Sequence, residues 1–390
     1  MSEIRAIGLR GLRRFSAAVL ALPLAATCLV GATVPAQAHS PSAGPPVMVS
    51  MGDSYISGEG GRWAGNSDTS SGSRAGTDRA WTGNGYDPER VYGASYRNGC
   101  DRSDSAEIRS AFGPSRALNI ACSGASTINI FRTSHGGKAF KREAPQADQL
   151  AQIAARYDVR VIALSIGGND LDFKDVIETC VWHYEYLETP CQPGQQREID
   201  EKIDKVMGNV GKAIDEIHAV MSAAGRAPSS YRFVLQSYPS PIPRASDYRY
   251  PQSGWDRTLL GGCPLRDDDS HWARFQLVPQ IARHLAQVAA SRGVQFLDLR
   301  DFLQAHEVCT KHARLATPGQ GPSPATSEWT RFLAGVDQPS LQESFHPNYY
   351  GQLGLGRCLS LVTGQPATQN YACESTPDRD AAGVYLRRIS

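Results

Sequence analysis

The sequence predicts an α/β protein in three layers, with a parallel sheet covered by helices on both faces. Val159–Ile166 (VRVIALSI) is an almost continuous apolar run, suited to a strand buried on both sides. Further short apolar runs alternate with segments of helical periodicity, and strands separated by helices argue for parallel pairing. A hydrophobic fraction of 41% over 390 residues supports a large core and excludes a disordered chain.

The chain opens with Arg5, Arg10, Arg13 and Arg14 against a single acid, Glu3. An apolar run follows from Phe15 to about Val34, broken by Pro23, and then the small-residue triplet Ala36-Gln37-Ala38. This order reads as a secretory signal peptide over residues 1–38, cleaved near Ala38, for an extracellular protein. A membrane anchor is the rival; a spanning helix needs ~20 apolar residues without such a cleavage pattern. Residues 39–390 read as a single domain, with its core at about 46–363 and a tail at 364–390, since no stretch resembles an interdomain linker.

Lys plus Arg number 40 and Asp plus Glu 39, a net charge of +1. Removing 1–38 leaves 36 basic and 38 acidic residues, a net charge of −2. This balance argues against nucleic acid or an anionic membrane surface as a partner. Eight cysteines remain after Cys28 leaves with the leader: Cys100, Cys122, Cys180, Cys191, Cys263, Cys309, Cys358 and Cys373. An even number in an exported chain suggests disulfides; connectivity does not follow from sequence, and pairing in chain order would close local loops. No C-x-x-C occurs and the histidines are scattered, so neither a metal nor another cofactor is called for.

The strands are expected at Val47–Met51, Leu118–Cys122, Val159–Ile166, Arg232–Gln236 and Val294–Leu299. Ile199, Ile203, Val206, Val210, Ile214, Ile217 and Met221 recur at helical spacing before Gly225. Phe275, Val278, Ala282, Leu285 and Val288 do the same before Gly293, with Pro279 bending that helix. These stripes read as core contacts. Residues 58–96, 178–196 and 312–342 read as long loops. Trp63, Trp81 and Tyr86 either line a hydrophobic cleft or pack the first loop down.

In a parallel sheet of this kind the ligand lies beyond the carboxyl ends of the strands. Met51-Gly52-Asp53-Ser54-Tyr55 follows the first strand and puts a serine where a strand turns into a helix. That position exposes a nucleophilic hydroxyl, although Ser54 as a plain helix cap is the bland reading. Gly167-Gly168-Asn169-Asp170 follows the strongest strand, and Asn169 there aims an amide at the same cleft or merely makes a turn. Ser123-Gly124-Ala125-Ser126 follows the second strand, where Gly124 offers a backbone donor. Glu343-Ser344-Phe345-His346-Pro347-Asn348 opens a helical segment and holds His346 on a short loop.

Gly52-Asp53-Ser54, then Gly124, then Gly167-Gly168-Asn169-Asp170, then His346-Pro347 resemble, in order, the four blocks of the SGNH (GDSL) hydrolase superfamily. The resemblance spans roughly residues 46–363. The phrases GDSYISGEG, Asn-Gly-Cys100-Asp-Arg-Ser and Ser-Phe-His346-Pro-Asn look like its secreted actinobacterial (Streptomyces-type) esterase and lipase branch. The resemblance implies a flavodoxin-like α/β/α fold and an acyl-ester hydrolase. Ser54 would be the nucleophile and His346 the base, with Ser54 N–H, Gly124 N–H and the Asn169 amide as the oxyanion hole. It also implies three disulfides, Cys100–Cys122, Cys180–Cys191 and Cys263–Cys309; Cys358–Cys373 would be a fourth, pinning the tail. Many members carry Asp three residues before the histidine, where this chain has Glu343. Glu343 is expected to help orient His346, through its carboxylate or through a main-chain carbonyl. The substrate would be a small-molecule or lipid ester, with lipid-like or aryl esters favoured and a broad esterase favoured over a strictly interface-activated lipase; a phospholipase of A1 or B type, or a polysaccharide acetylesterase, on the same machinery is the alternative. The protein would be a monomer with no membrane anchor.

Other readings leave more unexplained. The G-x-S-x-G elbow of α/β-hydrolases and the H-E-x-x-H of zinc hydrolases are both absent. A disulfide-rich secreted binding module would leave the four ordered blocks as coincidence.

Overall fold

The computed structural model describes residues 44–67, 74–333 and 341–389. The expected leader, with Cys28, lies outside them, as do parts of the 58–96 and 312–342 segments. One sheet holds seven strands: β1 Pro46–Gly52, β2 Ala117–Asn119, β3 Asp158–Ser165, β4 Arg232–Gln236, β5 Gln295–Asp298, β6 Asn370–Glu374 and β7 Tyr385–Ile389. Their order is β2-β1-β3-β4-β5-β6-β7. All neighbours are parallel except β6 and β7. The order reverses at β1, so the crevice between the carboxyl ends of β1 and β3 is the topological switch point of a flavodoxin-like sheet.

The alternation of β3 explains the layers. Ile162 and Leu164 point into one core with Leu150, Val210, Ile214 and Leu285 from the helices Gln146–Ala154, Gln192–Ala223 and Val278–Arg292. Ala163 points the other way, into a core with Val234, Leu297, Ile108, Leu355 and Leu359, the last three from the helices Glu107–Phe112 and Tyr349–Thr363. Gly293 stops its helix in the left-handed conformation, at φ 64°. Pro279 lacks an N–H for Phe275, and the turn before it, Ala273–Leu277, widens to a π-helical turn where a bend was expected.

Three expectations need correcting. Regular pairing of β2 ends at Asn119, short of Cys122, although Ile120 and Cys122 still donate to Ser50 and Gly52 at 3.0 and 3.1 Å. The 178–196 segment is mostly helical: Phe173–Trp182 runs into a π-turn at His183–Leu187, and the long helix already starts at Gln192. The tail at 364–390 is no appendage, because β6 and β7 extend the sheet and β7 makes it mixed. All four cysteine pairs expected are bonded: Cys100–Cys122, Cys180–Cys191, Cys263–Cys309 and Cys358–Cys373.

Candidate active site

Ser54 is placed by the end of β1. Gly52 has φ 131°, and any Cβ there would overlap the Ser165 carbonyl of β3. The Gln146 side-chain amide grips the Gly52 backbone on both sides, at 2.7 Å each. Asp53 then caps a one-turn helix, Ser54–Ser57, by accepting from Tyr55 N at 3.2 Å. Its other oxygen accepts the Tyr238 hydroxyl. Burial pushes the Asp53 carboxyl up to about 7. As the first residue of that turn, Ser54 has no helical acceptor for its N–H, which makes no hydrogen bond among the described residues.

His346 reaches this serine across 292 positions of sequence. Phe345 before it takes a left-handed φ of 60°, and Asn348 after it caps the Tyr349–Thr363 helix. The Tyr55 hydroxyl donates to the Phe345 carbonyl at 2.9 Å, tying the histidine loop to the serine turn. The His346 Nε2 lies 2.7 Å from Ser54 Oγ, and its Nδ1 lies 3.0 Å from the Ser344 carbonyl. A carbonyl only accepts, so Nδ1 carries the proton and Nε2 is free to accept from the serine hydroxyl. Burial holds the imidazole down, to about 4, so it is neutral at ordinary pH.

Gly124 sits at φ 82° in the turn that starts at Cys122, and its N–H also finds no acceptor among the described residues. Asn169 Nδ2 donates one hydrogen to the Ala125 carbonyl at 2.8 Å, leaving a second hydrogen on that amide. Asp170 accepts from Thr127 N at 2.9 Å and Thr127 Oγ1 at 2.5 Å. The loop after β3 is thereby laced to the turn after β2, and Asp53 and Asp170 act as backbone braces.

Glu343 meets His346 through its main chain, whose carbonyl accepts from His346 N at 3.3 Å, and not through its side chain. Its carboxylate accepts from Trp63 Nε1 and the Tyr92 hydroxyl, away from the imidazole. Ser344, one residue on, supplies the carbonyl at Nδ1. The longer arm of Glu, buried in a nest with Arg62 and Arg331 nearby, is held by those partners instead. Trp63 is itself fully buried under Arg331, 3.5 Å from its ring, and Trp81 packs on Tyr86. These aromatics pack their loop down.

Glu59 is the residue that sequence reasoning missed. It is fully buried, and its Oε2 lies 3.6 Å from His346 Nε2 while accepting from Ser123 Oγ at 2.6 Å. Its Oε1 has no partner among the described residues. Burial pushes this carboxyl up to about 8. The signal was Gly58-Glu59-Gly60-Gly61: Gly60, at φ 86°, lets the turn pass the histidine, since a Cβ there would be 2.8 Å from the Pro347 carbonyl.

An apolar pocket of about 100 Å³ opens beside the pair. Tyr55 and Phe345 line its near end, and Val176, Ile177, Trp272, Leu277 and Ile281 its walls. Among the described residues, the one group with metal-ligand spacing is Cys180, Cys191 and Asp269, whose two sulfurs are bonded to each other. No helix among the described residues is long and apolar enough to cross a membrane.

A model of the GDSL-like lipase/acylhydrolase family matches residues 50–352. The chain is 26% identical over 336 residues to Lipase 1 of Streptomyces coelicolor, covering 85% of this chain and 92% of that protein. The extracellular lipase of Streptomyces rimosus aligns at 20% identity over 82% of this chain and all of its own, with a TM-score of 0.46. Phospholipase A1 of Streptomyces albidoflavus aligns at 19% identity over 83% of this chain and all of its own, with a TM-score of 0.48. With its family match running through most of its length, the chain belongs to the GDSL-like lipase/acylhydrolase family, and it is a carboxylic ester hydrolase.

Proposed function

We propose that the enzyme hydrolyses lipid-like acyl esters through an acyl-enzyme on Ser54. Ser54 Oγ attacks the ester carbonyl while His346 Nε2 takes its proton. The Ser344 carbonyl holds Nδ1–H and fixes the tautomer, a role performed elsewhere by a carboxylate. The oxyanion is met by the N–H groups of Ser54 and Gly124 and by the Asn169 amide. His346 then returns the proton to the leaving alcohol, and a water activated at Nε2 releases the acid. The observation that supports this reading most is the 2.7 Å contact between Nε2 and Oγ, with Nδ1 satisfied on its far side.

The apolar pocket beside Tyr55 and Phe345 favours an acyl chain over the acetyl group of a polysaccharide. Residues 1–38 act as the export signal, and 39–390 form one functional unit outside the cell, where the disulfides persist. The deciding experiment combines a serine-reactive phosphonate with a chain-length series of acyl esters. Ser54 carries the label, and turnover rises with acyl length; labelling elsewhere, or full turnover by Ser54→Ala, would refute the mechanism.

A further inference from the structure

The walls of the pocket continue outward into an unusual surface. The Phe173–Trp182 helix starts where Phe173 N donates to the Gly168 carbonyl, beside Asn169, and lines the pocket with Val176 and Ile177. Its ten residues span ~15 Å before the chain turns. At that outer end Trp182 and Tyr186, one helical turn apart, pack at a tilt with ring centres 4.3 Å apart while 54% and 68% exposed, with exposed Leu187 beside them. A second short helix, Asp256–Leu259, follows Trp255 and repeats the pattern: Trp255 and Leu259 are 67% and 72% exposed. The two segments are joined. Thr258 Oγ1 donates to Glu185 at 2.6 Å, and the Tyr184 hydroxyl donates to the Gln252 carbonyl at 2.8 Å. Cys180–Cys191 and Cys263–Cys309 staple the chain beside each segment. Two pairs of large apolar side chains are thus held out in water by hydrogen bonds and disulfides.

The charges around them select the occupant. The exposed acids on these segments are Asp175, Glu178, Glu188, Asp256 and Asp268. Lys174 offsets Glu178 at 3.1 Å, Arg257 is buried against Asp267 at 2.9 Å, and Arg266 reaches the Glu188 carbonyl at 2.9 Å, which leaves Asp175, Glu188, Asp256 and Asp268 against one part-exposed arginine. An acidic rim repels an anionic lipid surface. It suits a zwitterionic one, whose outermost groups are quaternary ammonium ions that also bind aromatic faces.

We propose that Trp182, Tyr186, Leu187, Trp255 and Leu259 form a docking surface for zwitterionic lipid, which seats the pocket mouth at a lipid boundary. Trp, Tyr and Leu are the side chains that partition into such a boundary. The surface rests on the reading of the substrate as a lipid-like ester, and it adds that the enzyme takes this ester from an aggregate.

The test uses full-length protein carrying Ser54→Ala, so that vesicles are not consumed, with phosphatidylcholine or phosphatidylglycerol vesicles in a sedimentation assay. It binds phosphatidylcholine and leaves phosphatidylglycerol. Trp182→Ser with Trp255→Ser, or Leu259→Ser alone as the milder variant, weakens phosphatidylcholine binding, the pair by roughly tenfold. In the active enzyme the same changes leave hydrolysis of a water-soluble acetyl ester within about twofold of the parent, because they touch neither pocket nor dyad. Hydrolysis of a vesicle-borne ester falls with the binding. Equal vesicle binding by the variants, or equal binding to both lipids, overturns the proposal. So does a concentration-dependent dimer abolished by the variants, which would make the patch a self-contact. Failure of the lipid-ester reading is visible separately, as an active enzyme without preference for longer acyl chains, while the binding arm still reads the surface.

Discussion

In the proposed mechanism a single imidazole carries the general-base work, and its surroundings set the pH at which it would act. The Nε2 of His346 faces Ser54 Oγ at 2.7 Å, and burial holds its protonation near pH 4. The profile of kcat/KM should therefore fall below about pH 4 and stay flat from there to neutrality. Glu59 adds an alkaline feature. Its neighbours are Ser123, Gln342, Asp101, Glu343 and Lys141, with His346 at 3.6 Å. Held neutral by burial up to about 8, it ionises beyond that and then stabilises the imidazolium that forms on attack. Turnover should rise several-fold through that range, because a more basic imidazole takes the serine proton more readily. Glu59→Gln mimics the neutral form and should keep the neutral-pH rate while losing the rise; an unchanged alkaline limb in that variant contradicts the assignment. Glu343 behaves differently. Removing its carboxyl as Glu343→Ala leaves Trp63 Nε1 and the Tyr92 hydroxyl buried without an acceptor, at a cost of about 2–4 kcal/mol in denaturant unfolding. The rate of the folded fraction should stay near that of the parent, whereas loss of a true triad acid costs ~10⁴.

Elements differ in how much of them the sequence discloses, and the reason is periodicity. β3 and the Gln192–Ala223 helix bury long regular stripes, so a pattern of eight or more residues announces them. β6 and β7 are five residues each, and β7 is an edge strand (YLRRI) with little to bury, so no pattern marks it. The Phe173–Trp182 helix is only ten residues long and buries just Val176 and Cys180 fully, so its apolar stripe is too short to mark it. The four motif blocks were legible since each follows a strand or precedes a helix. Glu59 was not, because its role depends on a fold that closes 287 positions of chain between it and His346. The same dependence on closure makes Cys180–Cys191 testable. It spans 11 positions and fixes the turn bearing Trp182 and Tyr186. Replacing both cysteines by serine should lower unfolding free energy by about 2–4 kcal/mol, read as a lower denaturant midpoint. Hydrolysis of water-soluble esters should survive, since the dyad lies at the other end of that helix.

Across the whole molecule, buried carboxyls govern how stability responds to pH. Burial lifts Asp53, Asp101 and Glu307 to about 7, and Glu59 and Glu107 to about 8. In the unfolded chain such groups lose their protons near pH 4, so between pH 5 and 7 the folded state binds more protons. Stability then falls as pH rises through that window and levels off above about 8. His346 opposes this: held down to about 4, it costs stability under acid conditions and ceases to do so above the ordinary histidine range. Glu216, drawn down to about 2 by Arg132 and His135 against its own burial, completes its stabilising contribution by about pH 5. Burial also holds His218 and His306 down, so three imidazoles pull against the five lifted carboxyls between pH 5 and 8, and the carboxyls win. Melting temperature should be highest near pH 5 and decline steadily through pH 6.5 to pH 8 in thermal scans at constant ionic strength. Replacing buried Glu107, whose partner is Gln236 Nε2 at 2.7 Å, by Gln should flatten part of that decline without touching the active site. A melting temperature that climbs from pH 5 to pH 8 would mean these carboxyls are ionised in the folded protein, and the neutral Glu59 beside His346 would be lost with them.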